Sequence, residues 1–274
     1  SNGLENYYQN TKQPAYSTQH LLTYILSPDY VDSDDIKGPS DGDLGTYVKF
    51  NYSKTSDNYK WRTPYEKLKA NYAAGLQGKD NDDKGSFSYG EKEVWYVHSI
   101  ETRTHVAEFH LSEREDGIGV ENRHGGLPTN ILEDDRLYKI DKIELYAKKD
   151  RVNGNHEPLK TVHFDYDYTL CPETPNSIAS DSYKYFDENG QEQIVNVEKG
   201  KLTLRKVWFT YGNSDKGQEN PYIFDYADTD FNGEMDVNYA YNSKNYDRWG
   251  FYKEQQPTIG NEEFPYTLQD KSLT

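Results

Sequence analysis

The chain has 274 residues, in which Lys and Arg total 31 against 47 Asp and Glu, for a formal net charge of −16. That balance has the wrong sign for neutralising phosphates and argues against nucleic acid or an anionic membrane as partner. Leu, Ile, Val and Phe make up under a fifth of the chain, which with this charge would ordinarily mark disorder, but 26 Tyr and 4 Trp supply large rings with polar tips. The expectation is a folded chain with an amphipathic core.

Along the chain, Thr18 to Leu26 has some helical character and contains the most apolar run, His20 to Leu26, far short of the 18 or more residues of a membrane span. Asp29 to Gly45 is a polar loop whose Asp32, Asp34, Asp35, Asp41 and Asp43 flank Gly38-Pro39 without a regular ligand order, and they read as solvated charge. Tyr47 to Lys54 alternates as a strand does. Tyr65 to Leu76, opening after Pro64 and ending near Gly75 and Gly78, is a second candidate helix. After the polar stretch Gly78 to Gly90, Glu91 to Thr102 and Thr104 to Glu113 show period two, with Val94, Tyr96, His98 and Ile100 on one face and Trp95, Val97 and Ser99 on the other. Their closeness predicts an antiparallel hairpin. His105 and His110, five apart, fall on opposite faces of one strand, which argues against a zinc site with His98.

Beyond the polar stretch Glu113 to Asp135, strands are predicted at Leu137 to Lys148, Lys160 to Tyr168 and Lys201 to Tyr211, with a loop at Asp150 to Pro158. Cys171 is the single cysteine, so no internal disulfide forms; it precedes Pro172, with His163 nearby in sequence, and reads as an inert packed thiol. Asn189-Gly190, between Tyr185 and Val195, predicts a hairpin turn of type I′. An internal echo follows. Leu137 to Tyr146 precedes Val162 to Tyr168 as Leu202 to Tyr211 precedes Tyr222 to Asp228, and Phe164-Asp165-Tyr166 matches Phe224-Asp225-Tyr226. This predicts a β-rich segment 1–136 followed by a two-copy β module 137–274. The fold class expected is mainly β, with antiparallel sheets in a sandwich or an open shell-like sheet, long acidic loops and little helix.

These two units, with Tyr246-Asp247-Arg248-Trp249-Gly250-Phe251-Tyr252-Lys253 after the second, resemble the stretch preceding the repeat region of large Rhs-like (YD-repeat) secreted or surface proteins. There a Leu-x-x-Ile strand, a Phe-x-Tyr strand and an Asp-x-Trp-Gly-x-Tyr segment recur in this order. The resemblance covers about residues 137–253. It implies a scaffold segment, similar in plan to the hollow β case of toxin-complex shells, whose partner is the rest of its own larger chain and whose catalysis lies elsewhere. A first residue Ser1 and a lone Met235 fit a segment taken from such a larger, extracytoplasmic protein of the bacterial surface or secretome.

The sharpest local motif is Asp228-Thr229-Asp230-Phe231-Asn232-Gly233-Glu234-Met235-Asp236, which sets oxygen ligands at positions 1, 3 and 5 of an EF-type loop, a turn glycine at 6 and carboxylates at 7 and 9. Asp228, Asp230, Asn232, Glu234 and Asp236 are therefore the candidate calcium ligands. Position 12, where a bidentate Glu belongs, is Tyr239. Calcium there would offset carboxylate repulsion in so acidic a chain.

A second functional class is a carbohydrate-binding or adhesive β-sandwich, in which Trp61, Trp95, Trp208 and Trp249 stack on a glycan, against the plainer expectation that they replace missing Leu and Ile in the core. A third is a glycosidase-like enzyme, which needs two carboxylates across a cleft. The sequence has no Gly-x-Ser-x-Gly elbow, phosphate-binding glycine loop or His-Glu-x-x-His helix. Tryptophan exposure separates the three classes.

Overall fold

The structure, a computed structural model, describes residues 11–34, 36–70, 87–152, 156–186, 189–226 and 238–242. The described residues form ten strands: β1 (Tyr24–Leu26), β2 (Tyr47–Thr63), β3 (Ser88–Thr102), β4 (His105–Ile118), β5 (Arg136–Ala147), β6 (Lys160–Leu170), β7 (Ser180–Phe186), β8 (Glu192–Glu198), β9 (Lys201–Thr210) and β10 (Tyr222–Ile223). A short helix α1 (Lys148–Val152) follows β5. Eight strands pair antiparallel in one sheet, in the order β1-β2-β3-β4-β5-β6-β9-β10, and β7 pairs with β8 in a separate hairpin. The fold is mainly β, as the alternating pattern predicts, and the sheet is open.

Each long strand predicted from period two is present, and several run further than predicted. β2 continues past Lys54 through Thr55-Ser56-Asp57-Asn58, residues poor in strand preference, because bulges at Asn51/Tyr52, Lys54/Ser56 and Ser56/Tyr59 absorb the extra residues. The predicted β3–β4 hairpin pairs Ser99 with Glu108 and Glu101 with Val106. In the echoed units, β5 pairs antiparallel with β6 and β9 with the much shorter β10. β7 and β8 form the second predicted hairpin, but Phe186 faces Glu192, so five residues connect the strands instead of a two-residue turn, with Gly190 at φ 72°.

The helical expectations fail where they can be compared. Tyr24–Leu26 is extended and pairs with Tyr47–Lys49 of β2, because β2 offers an open edge whose hydrogen bonds satisfy this backbone. Residues 65–70 form turns, in which Leu68 takes φ 58° and its N–H donates to the His124 carbonyl; 71–76 lie outside the described residues.

Register sorts the side chains. On one face lie the rows Phe50–Ile100–Ala107–Leu145, then Phe109–Ile143–Val162–Phe209, then Phe164–Val207. On the other face lie Asn51–Ser99–Glu108–Glu144–Thr161–Thr210 and His110–Lys142–His163–Trp208. The apolar rows are all half-buried; the described strands make most of their contacts with sheet neighbours, and beyond these the β7–β8 hairpin meets β6 and the end of β4 meets the start of β9. Strand β5 shows the consequence, since alternation in its sequence produces no alternation in burial.

Dense packing occurs instead at the sheet's corners. Ile118 and Val120 are fully buried beside Tyr59, whose hydroxyl reaches the Gly117 carbonyl. A second small core, Thr169, Thr174, Ser177, Ala179 and Val197, anchors the β7–β8 hairpin, with Ser177 Oγ donating to the Gly200 carbonyl at 2.6 Å. Gly200 opens β9 directly against β6: a Cβ there would stand 1.5 Å from the Tyr168 carbonyl oxygen, so the backbone itself must retreat. Gly200→Ala is expected to cost about 2–4 kcal/mol, as other severe steric changes do, and a chemical-denaturation midpoint equal to that of the parent would disprove the close approach.

Candidate functional surface

The predicted calcium ligands Asp228, Asp230, Asn232, Glu234 and Asp236 lie outside the described residues. Of the twelve-residue loop Asn238 and Tyr239 are described, and Tyr239 is exposed. This end of the loop docks on the end of β6: Asn238 Oδ1 accepts from the Cys171 N–H at 2.9 Å, its Nδ2 donates to the Thr169 carbonyl, and the Tyr241 N–H donates to the Pro172 carbonyl. Cys171 is half-buried there. His163 is engaged elsewhere, stacked on Trp208 with centroids 3.9 Å apart and with Nε2 3.0 Å from Thr210 Oγ1.

The acidic loop before β2 corrects the expectation of uniformly solvated charge. Asp32 and Asp41 are exposed, but Asp43 is fully buried, with Oδ2 accepting from the Tyr30 hydroxyl and the Ser40 N–H and Oδ1 from the Ser33 N–H. A carboxylate is the one short side chain that can accept from so many donors at once, so Asp43 closes the loop upon itself. Carboxylate oxygens of Asp32, Asp34 and Asp43 lie within 4.8 Å of one another, with Asp43 committed to its three donors. Arg103 holds the same loop to the sheet by donating to the carbonyls of Asp43 and Gly45.

The backbone N–H groups of Ser33 and Ser40 hold the Asp43 carboxyl below its usual range. A depressed folded-state pKa contributes stability that is complete above the ordinary value of 3.8 and is lost as pH falls through the lower folded one. The loop is therefore expected to stay closed at pH 5 and open in stronger acid, and Asp43→Asn should weaken that acid dependence. Hydrogen exchange of the Ser33 and Ser40 amides across an acid titration checks both; the same acid profile in Asp43→Asn would rule the role out.

Across the middle of the polar face, charges pair within the sheet. Glu144 Oε1 accepts from Lys142 Nζ at 2.7 Å and Oε2 from the Tyr146 hydroxyl at 2.9 Å. Burial pushes the Glu144 carboxyl upward, but these two donors outweigh it and leave the group below its usual range. The same burial and Glu144 raise the Tyr146 phenol to about 12. His110 Nε2 lies 2.6 Å from Glu144 Oε2 but out of line for a hydrogen bond, and is closed off from solvent. Glu108, directly opposite Glu144, pairs with Arg151 of α1. Lys148, at the start of α1, bridges Glu101 at 3.0 Å and Asp41 at 2.9 Å, joining the sheet to the acidic loop.

Glu108 and Glu144 are thus the facing carboxylate pair that a glycosidase reading asks for, yet each is bound by a cation and both stand on an open sheet. The depressions at Asn213–Glu219 and between Lys54–Asp57 and Leu132–Asp134 are shallow and lie away from this pair. His105 and His110 face opposite sides of β4, as their spacing predicts.

The tryptophans depart from the core role expected of them. Trp61 is 38% and Trp95 43% exposed, Trp208 is half-buried under His163, and Trp249 lies outside the described residues. Trp95 is braced by Lys54 over its ring and by Glu93, which accepts from its indole N–H. Trp61 lies against Gly90, five residues from Trp95 along β3, a separation of about 16 Å at strand rise. The two rings are not neighbours in one strip.

Sequence reasoning missed three polar residues that join parts of the sheet, the buried Arg62 and Asp116 and the half-buried Glu144. For two of them a signal was present: Arg114-Glu115-Asp116 and Lys142-Ile143-Glu144 place opposite charges two apart, on one face of a strand. Arg62 has no comparable mark. No protein-family model, curated protein or solved structure matches the chain.

Proposed function

We propose that the chain is a non-catalytic structural module of a large secreted or cell-surface protein of Rhs-like type, working as a sheet that joins to further protein. The observation that carries this reading is the polar face, where Glu101, Glu108 and Glu144 are all neutralised by Lys or Arg of the same sheet or of α1. Groups spent on one another support the sheet and leave little for a ligand.

A supporting role and a binding role make opposite predictions for Glu144. Residues that serve a ligand are commonly held at a cost, and removing them tends to stabilise, whereas removing a structural acceptor strands its donors. Glu144→Gln is expected to lower the melting temperature; a rise would count against the module.

The exposure of Trp61 and Trp95 favours carbohydrate binding as the second reading. Affinity electrophoresis in gels containing soluble polysaccharides separates the two: the module migrates unretarded, and a retardation abolished by Trp61→Ala or Trp95→Ala establishes the binding protein instead. Calcium held by residues 228–236 belongs to the proposed module, and it requires a melting temperature that rises with millimolar calcium and falls back with chelator.

A further inference from the structure

A sheet with one apolar face is a half-made core, because such a face is stable only when a second layer covers it. Here Phe50, Ile100, Phe109, Ile143, Val162 and Phe209 lie on one face of six adjoining strands, half-buried, and the other described sheet, the β7–β8 hairpin, meets β6 at its far end, where the Tyr168 N–H donates to Asp181. Six strands at about 4.8 Å spacing and about four same-face residues along each make a footprint of roughly 600 Å². That is at the upper limit of what monomers leave open. It also approaches the roughly 800 Å² per partner of a stable interface.

We propose that this face pairs with the same face of a second copy of the chain, giving a two-layer sandwich across a twofold axis. Charge selects this occupant. A chain of net charge −16 can approach itself only where carboxylates are missing. The apolar rows contain none, while Glu101, Glu108, Glu144 and Asp165 all project from the opposite face. The only charge in the rows, Lys160, is folded over the rings of Phe209 and Tyr211 at 4.0 and 5.5 Å. Shape agrees, since two sheets of the same twist pack face to face at about −30° and a twofold axis presents identical patches to each other. The pairing rests on the reading of the chain as a structural module and supplies its partner.

The test is the mass of the full chain by light scattering at about 1 and about 100 μM, which spans the weak end of affinities for interfaces of this size. The expected result is twice 31.9 kDa at the higher concentration, and Ile143→Lys, with an unchanged β-sheet circular dichroism spectrum, should remain monomeric. Should Ile143→Lys not fold, carbene footprinting of the unaltered chain replaces it, with Phe109, Val162 and Phe209 labelled at the low concentration and protected at the high one. A monomer at both concentrations overturns the proposal, whether those residues are labelled throughout or shielded throughout by the chain's own remaining segments. So does a dimer that survives in folded Ile143→Lys. A monomer that ignores polysaccharide would sink the pairing alone and leave the module standing; a dimer retarded by polysaccharide through Trp61 or Trp95 would do the reverse.

Discussion

Arg62→Leu is expected to lower stability by about 3–5 kcal/mol, in the range for breaking a buried charged network. Arg62 is 7% exposed, and its guanidinium, at the end of β2, has no carboxylate partner in its hydrogen bonds. Nε donates to the Arg123 carbonyl at 3.0 Å, Nη1 to those of Pro64 and Glu66, and Nη2 to that of Lys69. The Phe87 ring lies 4.6 Å beneath it, and burial pulls its pKa down. Two loops, 64–70 and 121–126, meet through this group, through backbone bonds from the Leu68 N–H to the His124 carbonyl and from the Gly126 N–H to the Tyr65 carbonyl, and at Gly125, where φ is 81° and a Cβ would fall 2.6 Å from the Tyr65 carbonyl oxygen. Leucine fills the volume and strands the carbonyls. At about 2–4 °C per kcal/mol, the melting temperature should fall by about 6–20 °C. Lysine keeps the charge but has one nitrogen and cannot reach carbonyls on three sides, so Arg62→Lys is expected to recover little. If lysine restores the full melting temperature, charge rather than the fork is what matters there.

The second large effect is at Asp116, whose side chain is 1% exposed at the end of β4. It takes Arg114 Nε and Nη2 at 3.0 and 2.9 Å, and its Oδ2 also accepts from the Leu202 N–H at 2.9 Å, which ties β4 to the start of β9 across 86 residues of sequence. Burial presses the Arg114 pKa down, but the Asp116 partnership more than offsets it, and the net shift is upward. Asp116→Asn keeps the size and turns an amide N–H₂ towards either the guanidinium or the Leu202 N–H, donor against donor. The expected loss is about 2–4 kcal/mol. A double-mutant cycle with Arg114→Met reads the pair itself, because the losses should be far from additive. Additive losses would show that each residue acts alone.

Strand positions were legible because period two is written locally: Val94 to Ile100 and Leu137 to Tyr146 needed only their own alternation. The β7–β8 hairpin was legible in place but not in loop length, since Phe186 and Glu192 pair beyond the turn residues that sequence weighs. Tyr24–Leu26 was misread as helical because its spacing suits either form, and an available strand edge decided it. The aromatic rings were read as core in general, which holds for Tyr47, Tyr59 and Tyr146 but not for Trp61 and Trp95. Composition counts rings and does not place them.

Sequence alone determined that the chain is an antiparallel β protein with acidic connections, because alternation, turn residues and charge act over a few neighbours. The tertiary structure decided what faces what: that Phe50 to Phe209 lie on one apolar face of the sheet, half-buried among the described residues, that Asp43 is buried while Asp41 is not, and that Arg62 and Asp116 fasten distant loops. Those outcomes depend on register and on bulges such as those at Asn51/Tyr52 and His110/Leu111, where one extra residue turns all later side chains to the other face. No short window of sequence records where such a residue will be taken up, because its position is set by the strand on the other side of the ladder.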